Sequence, residues 1–271
     1  MSNGRDDRST TRRLLRYAAP LGVAVAALAA WEIGVRVGEI PEYLLPTPGA
    51  VLQALRDNFE TLGPAWLLTI RTMLTALAAA VVGGVLLAVL FAVSPLVENS
   101  LSPFAVILQV TPLIAIAPLI NAWLGEQPWV VLFLCAWIVA FFPILANTLV
   151  GLRSADPGLR DLMQLYGATP WQRVRYLLAP SALPFFLAGL RVSANLSLVG
   201  AVVAEFAVGV VGSQTGLAST ILESSYRLDV KQMFAALALI SLTGVTMYAT
   251  VHLLSQWLLS GWHESDDSRR G

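Results

Sequence analysis

The sequence is short of charge and of the residues that most catalytic and metal sites require. Charged residues make up 13% of its 271 residues, against the roughly 25% that is usual in soluble domains. A single cysteine excludes a disulfide framework, and Cys135, His252 and His263 have no metal-ligand spacing. Acidic and basic residues number 17 each, which gives no reason to expect a nucleic-acid partner. Hydrophobic residues make up 56% of the chain, which indicates an integral membrane protein.

Lysine is almost absent, and this bears on ATP. The single lysine, Lys231, follows Val230, so the chain lacks the Gly-Lys-Ser/Thr sequence that holds nucleotide phosphates. A Gly-x-Ser-x-Gly nucleophile motif is missing as well. We therefore expect that the chain is not an enzyme and binds no cofactor or metal. An intramembrane enzyme is the alternative that these missing motifs disfavour.

Long apolar runs are what the sequence has in excess. A helix needs about 20 mostly apolar residues to cross the roughly 30 Å hydrocarbon core of a bilayer. Six stretches qualify, at residues 14–35, 65–93, 103–123, 129–150, 183–211 and 233–260. The sequence therefore predicts an all-α polytopic protein with six transmembrane helices. A polar tail covers residues 1–13, and residues 258–271 hold the end of the last helix and a second polar tail.

Arginine is unevenly distributed among the segments between these runs. If the N-terminus is cytoplasmic, that side of the membrane receives Arg5, Arg8, Arg12, Arg13, Arg16, Arg153, Arg160, Arg173, Arg175, Arg269 and Arg270. Because cytoplasmic loops carry the excess of basic residues, we expect both termini in the cytoplasm. Arg12 and Arg13 before an Ala-rich run also fit a twin-arginine export signal. Since five further spans follow, we favour a retained first helix.

The longest basic segment, residues 151–176, has the punctuation of two short helices. Asp156-Pro157 supplies a helix cap and a first-turn proline, and Gly167 can end the helix in the left-handed conformation. Thr169-Pro170 repeats the starting signal. We expect Pro180 to end the second helix, because a helix interior excludes proline.

The first of these two helices is amphipathic. Its apolar face follows helical spacing, with Leu159, Leu162, Met163 and Tyr166 on one side and Arg160, Asp161 and Gln164 on the other. A helix of this kind between two spans either docks on a partner protein or lies in the membrane interface. The periodicity alone leaves both interpretations open.

The segment from Asp161 to Pro180 resembles the EAA loop of bacterial ABC importer permeases. Gly167 and Pro180 fall at the family spacing, whereas Asp161 stands in place of the glutamate, and Leu162 and Met163 replace the two alanines. Other segments resemble permeases of the nitrate/sulfonate/taurine branch, in the expected order, at residues 45–51, 142–153, 189–191 and 202–206.

This resemblance implies a type I ABC importer permease that works as a homodimer in the bacterial cytoplasmic membrane. An ATP-binding subunit carrying ATP and Mg²⁺ would dock on the loop, and an extracytoplasmic solute-binding protein would deliver the substrate. The permease core would cover residues 69–257 with a coupling loop at 151–182, after a first helix and external loop at 14–68. The ATPase-coupling residues would be Leu159, Asp161, Leu162, Met163, Gln164, Leu165, Tyr166, Gly167, Ala168 and Thr169.

Alternatives remain open for both function and cargo. A membrane scaffold could recruit a cytoplasmic protein through the same loop without transporting anything. If the chain is an importer, small anions, sulfonates and pyrimidine precursors are all compatible cargoes. The sequence does not choose among them, because selectivity would reside in the solute-binding protein.

Polar residues within the spans are candidates for lining a translocation path, because such groups are costly in a bilayer. The candidates are Gln109, Thr111, Asn121, Asn147, Asn195 and Glu205, together with Ser193 and Ser197. Glu205 is either a buried carboxylate bonded to a neighbouring helix or a group that lines or gates the path. Pro112 and Pro118 interrupt the third span. Residues 207–229 contain a stretch with helical spacing. The resemblance implies that this region faces the binding protein, and the alternative is a re-entrant segment that plugs the outer mouth.

Overall fold

The computed structural model describes residues 6–209 and 215–260. Within these ranges every regular element is helical, which confirms the predicted all-α fold. Residues 1–5, 210–214 and 261–271 lie outside the described residues, and with them the predicted end of the fifth span and the tail positions Arg5, His263, Arg269 and Arg270.

The described residues form a succession of α-helices joined by short turns. In chain order these are α1 (Asp6–Val37), α2 (Pro48–Asp57), α3 (Phe59–Val93), α4 (Pro95–Val110), α5 (Leu113–Leu124), α6 (Pro128–Arg153), α7 (Pro157–Leu165), α8 (Pro170–Arg173), α9 (Ala179–Val208), α10 (Leu217–Tyr226) and α11 (Val230–Ser260). A π-helical turn, Val174–Leu178, joins α8 to α9. These three elements therefore form one helical run, Pro170–Val208.

Four helical runs of the described chain are long and apolar enough to span a membrane: Phe59–Val93, Pro128–Arg153, Pro170–Val208 and Val230–Leu259. They coincide with the second, fourth, fifth and sixth predicted spans. The pair α4 and α5 passes the same test together, bent by 101°. The first predicted span lies within α1, which is not among these runs but has 32 residues, enough length to cross a bilayer.

The third predicted span, residues 103–123, is not a single helix. The chain breaks at Thr111-Pro112, between α4 and α5. Thr111 has φ −73° and ψ 121°, the extended conformation that a following proline favours by crowding the helical one. Pro112 also lacks the N–H that would continue the helix. Pro118, by contrast, lies inside α5 without ending it.

Small residues bring α3, α6 and α9 together at the centre of the bundle. A Cβ added to Gly200 of α9 would lie 2.8 Å from the Cα of Ala136 in α6, so this crossing leaves no room for a side chain. The hydroxyl of Ser193 donates a hydrogen bond of 2.6 Å to the carbonyl oxygen of Ala140. This packing fixes the position of the loop that joins α6 to α9.

Candidate functional site

The predicted coupling loop begins as the sequence indicates. Asp156 caps α7, because its Oδ1 accepts a hydrogen bond of 3.1 Å from the N–H of Leu159, and Pro157 occupies the first turn. Beyond the other end Gly167 has a φ of +66°, and no atom lies within 4 Å of a Cβ added there. The requirement for glycine at this position is therefore conformational rather than steric crowding by a neighbour.

The apolar face of α7 points away from the rest of the chain. Leu165 and Tyr166 are 85% and 83% exposed, while Leu159 and Leu162 are about half exposed. Leu165 is the most exposed of these residues although it lies outside the predicted apolar face. An apolar patch of this kind, presented where the long helices end, is typical of a surface that contacts a protein or the membrane.

On the polar face of α7 Arg160 is directed toward the bundle, whereas Asp161 and Gln164 are exposed. Nη2 of Arg160 donates a hydrogen bond of 2.9 Å to the carbonyl oxygen of Leu152, close to the end of α6. Nε of Arg173 in α8 donates a bond of 3.2 Å to the carbonyl oxygen of Ala168. The two arginines attach α7 to the end of α6 and the turn after α7 to α8.

The second helix of the loop does not end at Pro180, contrary to the sequence-based expectation. Thr169 and Gln172 form a capping box at its start, with bonds of 2.7 and 3.3 Å. The chain then passes through the π-helical turn Val174–Leu178 and continues through Pro180 into α9. A widened turn accommodates the proline ring and its missing N–H, so the helix continues.

A cavity of about 320 Å³ lies at the break between α4 and α5. Residues of α4, α5, α6 and α9 and of the break line it: Leu108, Gln109, Val110, Thr111, Pro112, Leu113, Ile138, Val139, Phe142, Pro143 and Leu196. Two of the predicted path residues, Gln109 and Thr111, provide its polar side chains. No residue of this lining is charged.

The other uncharged candidates do not line this cavity. Asn147 donates a bond of 2.9 Å to the carbonyl oxygen four residues earlier in α6. Asn121 is half-buried in α5, and Asn195 is exposed on α9. Ser193 and Ser197 are buried and bond backbone carbonyls. The fold thus brings two candidates together and distributes the rest along the helices.

Glu205 lies apart from the cavity, near the end of α9 that is remote from the coupling loop, and is 1% exposed. Its Oε1 accepts a bond of 2.7 Å from the hydroxyl of Thr69, and its Oε2 accepts one of 2.8 Å from the N–H of Ala218. The N–H of Leu217 donates to Thr69 Oγ1 at 3.0 Å. Carboxylate and hydroxyl therefore satisfy the first two N–H groups of α10, for which the N-cap residue Gly216 offers no side chain. This is the geometry of a buried carboxylate that joins helices.

Thr69 and Gly216 carry no sequence signal that would have identified them as partners of Glu205. A Cβ added to Gly216 would overlap the carboxylate of Glu205, so the close approach requires glycine. Thr69 is one of several hydroxyl residues in the spans, and only the folded chain distinguishes it. Among the described residues, no group of three or more His, Cys, Asp or Glu side chains is placed to hold a metal ion.

Comparison with known proteins connects these features to transport. The family model for the binding-protein-dependent transport system inner membrane component matches residues 63–260. The formylaminopyrimidine transport permease protein ThiX of Halalkalibacterium halodurans is 34% identical, covering 84% of this chain and 90% of that protein. The putative aliphatic sulfonates transport permease protein SsuC of Bacillus subtilis is 28% identical, covering 92% of this chain and 90% of that protein.

The helical arrangement is also similar to that of a solved transporter. A chain in the crystal structure of an amino acid ABC transporter with histidines matches with a TM-score of 0.58, at 17% identity. The match covers 76% of this chain and 96% of that chain. At this level of identity the similarity establishes the fold.

Proposed function

We propose how the surfaces of this chain contribute to transport, starting from its family. The chain belongs to the binding-protein-dependent transport system inner membrane components, in the nitrate/sulfonate/taurine-like branch of ABC importer permeases. It is the transmembrane permease subunit of an ATP-driven importer, a multi-pass membrane protein. The relatives are named as transport permeases, which favours this function over a scaffold. We propose that the chain itself catalyses no reaction.

The exposed apolar face of α7 is the observation that carries the proposal. We assign it as the docking surface for a separate ATP-binding subunit, with Leu165 and Tyr166 as its most exposed contacts. ATP and Mg²⁺ would be held by that partner, since this chain lacks a phosphate-binding motif. Movement of the partner would displace α7, and the bond from Arg160 to Leu152 would transmit the displacement to α6.

A second copy of the chain would cover the face formed by α4 and α5. Phe104, Val110 and Ile114 are 64%, 69% and 76% exposed there. The amide of Gln109 lies at the same face, and lipid offers such a group no hydrogen-bond partner; the hydroxyl of Thr111 there donates to the carbonyl oxygen of Ile107. We therefore place the path between two copies, with the cavities of both facing it. We propose that α7 and both termini lie on the cytoplasmic side, which the arginine distribution supports.

The lining of the cavity favours an uncharged cargo. Gln109 and Thr111 can hydrogen-bond a solute and Phe142 offers an aromatic surface, but no lining residue compensates an anionic charge. Nitrate and sulfonates would carry such a charge. A formylaminopyrimidine, the cargo named for one relative, would not. We therefore propose a small neutral heterocycle, delivered by a solute-binding protein, ahead of an anion.

Co-purification tests the docking surface directly. The tagged chain is isolated from its host in mild detergent, and the ATP-binding subunit recovered with it is quantified. Leu165→Asp is expected to lose that subunit, whereas Leu228→Asp changes a leucine of similar exposure, 81%, outside α7 and should retain it. Equal recovery with both variants, or no ATP-binding subunit with the wild type, would contradict the proposal. Titrating the solute-binding protein with formylaminopyrimidine and with nitrate tests the cargo: preference for nitrate, which carries a net negative charge, would reject a neutral one.

A further inference from the structure

A second cavity of about 320 Å³ lies behind the coupling loop, on the side of α7 opposite to its exposed apolar face. Three guanidinium groups line it, those of Arg153, Arg160 and Arg173, with the side chains of Asp161 and Gln164. Leu152, Leu177 and Leu178 contribute apolar walls. The cavity thus combines concentrated positive charge with apolar surface.

The arginines of this cavity retain hydrogen-bonding capacity. Arg160 places one Nη2 bond on the carbonyl oxygen of Leu152, and its Nε is buried with no partner. Arg173 uses its Nε on Ala168, which leaves its terminal nitrogens. A guanidinium carries five N–H donors in a planar fork, and buried donors of this kind normally have an acceptor. An anion with several oxygens would supply it.

The acidic groups nearby do not neutralise this charge. Arg153 forms an ion pair with Glu98 at the start of α4. Asp161 is the one carboxylate among the lining residues, against the two remaining guanidinium groups of Arg160 and Arg173. The cavity is therefore complementary to an anion.

An apolar cavity of about 220 Å³ adjoins the basic one and shares Leu152 with it. Its walls are side chains of three elements that cross or approach the bilayer, including Val85 and Val89 of α3 and Leu183 and Phe186 of α9. The basic cavity lies where α6 ends and α8 begins, so it lies at the end of the membrane spans, where lipid headgroups are found. Positive charge at that level, with an apolar cavity on the other side of the shared Leu152, matches a molecule with an anionic head and a hydrocarbon tail.

We propose that the two cavities bind one anionic phospholipid, with its phosphate diester on Arg160 and Arg173 and an acyl chain against Val85, Val89 and Phe186. The shared chemistry is a phosphate group, and the adjoining apolar cavity assigns its source to the membrane rather than to the solution. Because Arg160 belongs to α7, the bound lipid links the coupling loop to the bilayer. The arginines that hold the lipid are not part of the apolar face proposed for the ATP-binding subunit, although Asp161 and Gln164 of the expected coupling residues also line the cavity.

The test measures lipid binding without the ATP-binding subunit, so its failure and the failure of the docking proposal are distinguishable. The full-length chain is incorporated into nanodiscs of phosphatidylcholine alone or of equal parts phosphatidylcholine and phosphatidylglycerol. Retained lipid is then identified by native mass spectrometry after transfer to detergent. We expect phosphatidylglycerol to be retained by the wild type in preference to phosphatidylcholine.

Variants locate the binding to the cavity. Loss of one charge-assisted contact weakens binding by about tenfold or more, so Arg173→Gln and the Arg160→Gln/Arg173→Gln pair should lose the preference. Arg175→Gln removes the same charge from an exposed position of the same loop that does not line the cavity, and should keep it. Arg160→Lys retains the charge and should retain lipid, which separates a binding defect from a folding defect.

Inorganic phosphate distinguishes the two possible sources of the anion. Added to the chain in phosphatidylcholine nanodiscs, it should leave the thermal unfolding midpoint unchanged, whereas phosphatidylglycerol should raise it. If phosphate raised the unfolding midpoint and phosphatidylglycerol did not, the site would bind a soluble anion, and the lipid proposal would be overturned. Equal retention of the two lipids by the wild type, or an unchanged preference in Arg173→Gln, would overturn the proposal altogether.

Discussion

Replacement of Glu205 tests how the start of α10 is held. In Glu205→Leu the N–H of Ala218 loses its acceptor, whereas the hydroxyl of Thr69 can turn to the carbonyl oxygen of Ala65, 3.2 Å away. One buried N–H is then left without a partner, at a cost of about 1–3 kcal/mol. In Glu205→Gln the amide oxygen can still accept from Ala218 and the amide nitrogen can donate to Thr69. We therefore expect a cost below about 1 kcal/mol for the glutamine variant.

Amide hydrogen exchange at the first turn of α10 measures this difference. A cost of about 2 kcal/mol corresponds to roughly 30-fold more frequent opening, so Glu205→Leu should accelerate exchange at Ala218 by about that factor. Glu205→Gln should change it little. Glu223→Gln, which removes a carboxylate from the exposed pair with Arg227 later in the same helix, is the control. Unchanged exchange in Glu205→Leu, or equal acceleration in the leucine and glutamine variants, would refute the assigned role.

Two further predictions concern glycines with different requirements. Gly167→Val should reduce uptake per ATP hydrolysed, because a β-branched residue at φ +66° strains the end of α7 by about 1–2 kcal/mol or more. Gly167→Asn, the control, should be closer to the wild type. Normal uptake with the valine variant would contradict the conformational requirement for glycine. Gly200→Ala should lower the thermal unfolding midpoint through about 1–3 kcal/mol of overpacking against Ala136. Gly83→Ala, whose Cβ would meet Phe141 at 3.5 Å, should leave the unfolding midpoint unchanged. Equal midpoints of the Gly200→Ala and Gly83→Ala variants would contradict the steric account.

Local signals in the sequence identified most of the helices and the ends of α7. Apolar runs of sufficient length mark α3, α6, α9 and α11, because the bilayer sets one length for all of them. The cap at Asp156 and the left-handed Gly167 depend on a few adjacent residues, so a short segment of sequence contains the information. The same local logic predicted the wrong outcome at Pro180, since a π-helical turn removes the conflict that proline otherwise creates.

Features that depend on distant residues were not accessible from the sequence. The 101° angle between α4 and α5 accompanies the packing of α4 on α3 and α6 and of α5 on α6 and α9, whereas Pro112 indicates only that a break occurs. Periodicity defined two faces of α7 but not which one faces outward, because that depends on Leu152 accepting a bond from Arg160. Glu205 and Thr69 are 136 positions apart in the chain, so no local pattern relates them.

The continuity of the chain through Pro180 has a mechanical consequence for the proposed coupling. The run Pro170–Val208 has 39 residues, which at about 1.5 Å per residue is roughly 58 Å of helix. Its first turn is bound to the coupling loop through Arg173, and Glu205 near its far end holds the start of α10. Had the helix ended at Pro180, a displacement of α7 would have had to cross a flexible joint before reaching the spans. With the helix continuous, the proposed coupling has an uninterrupted helical connection from the loop to the start of α10. The π-helical turn Val174–Leu178 and Pro184 are the positions at which this run can bend.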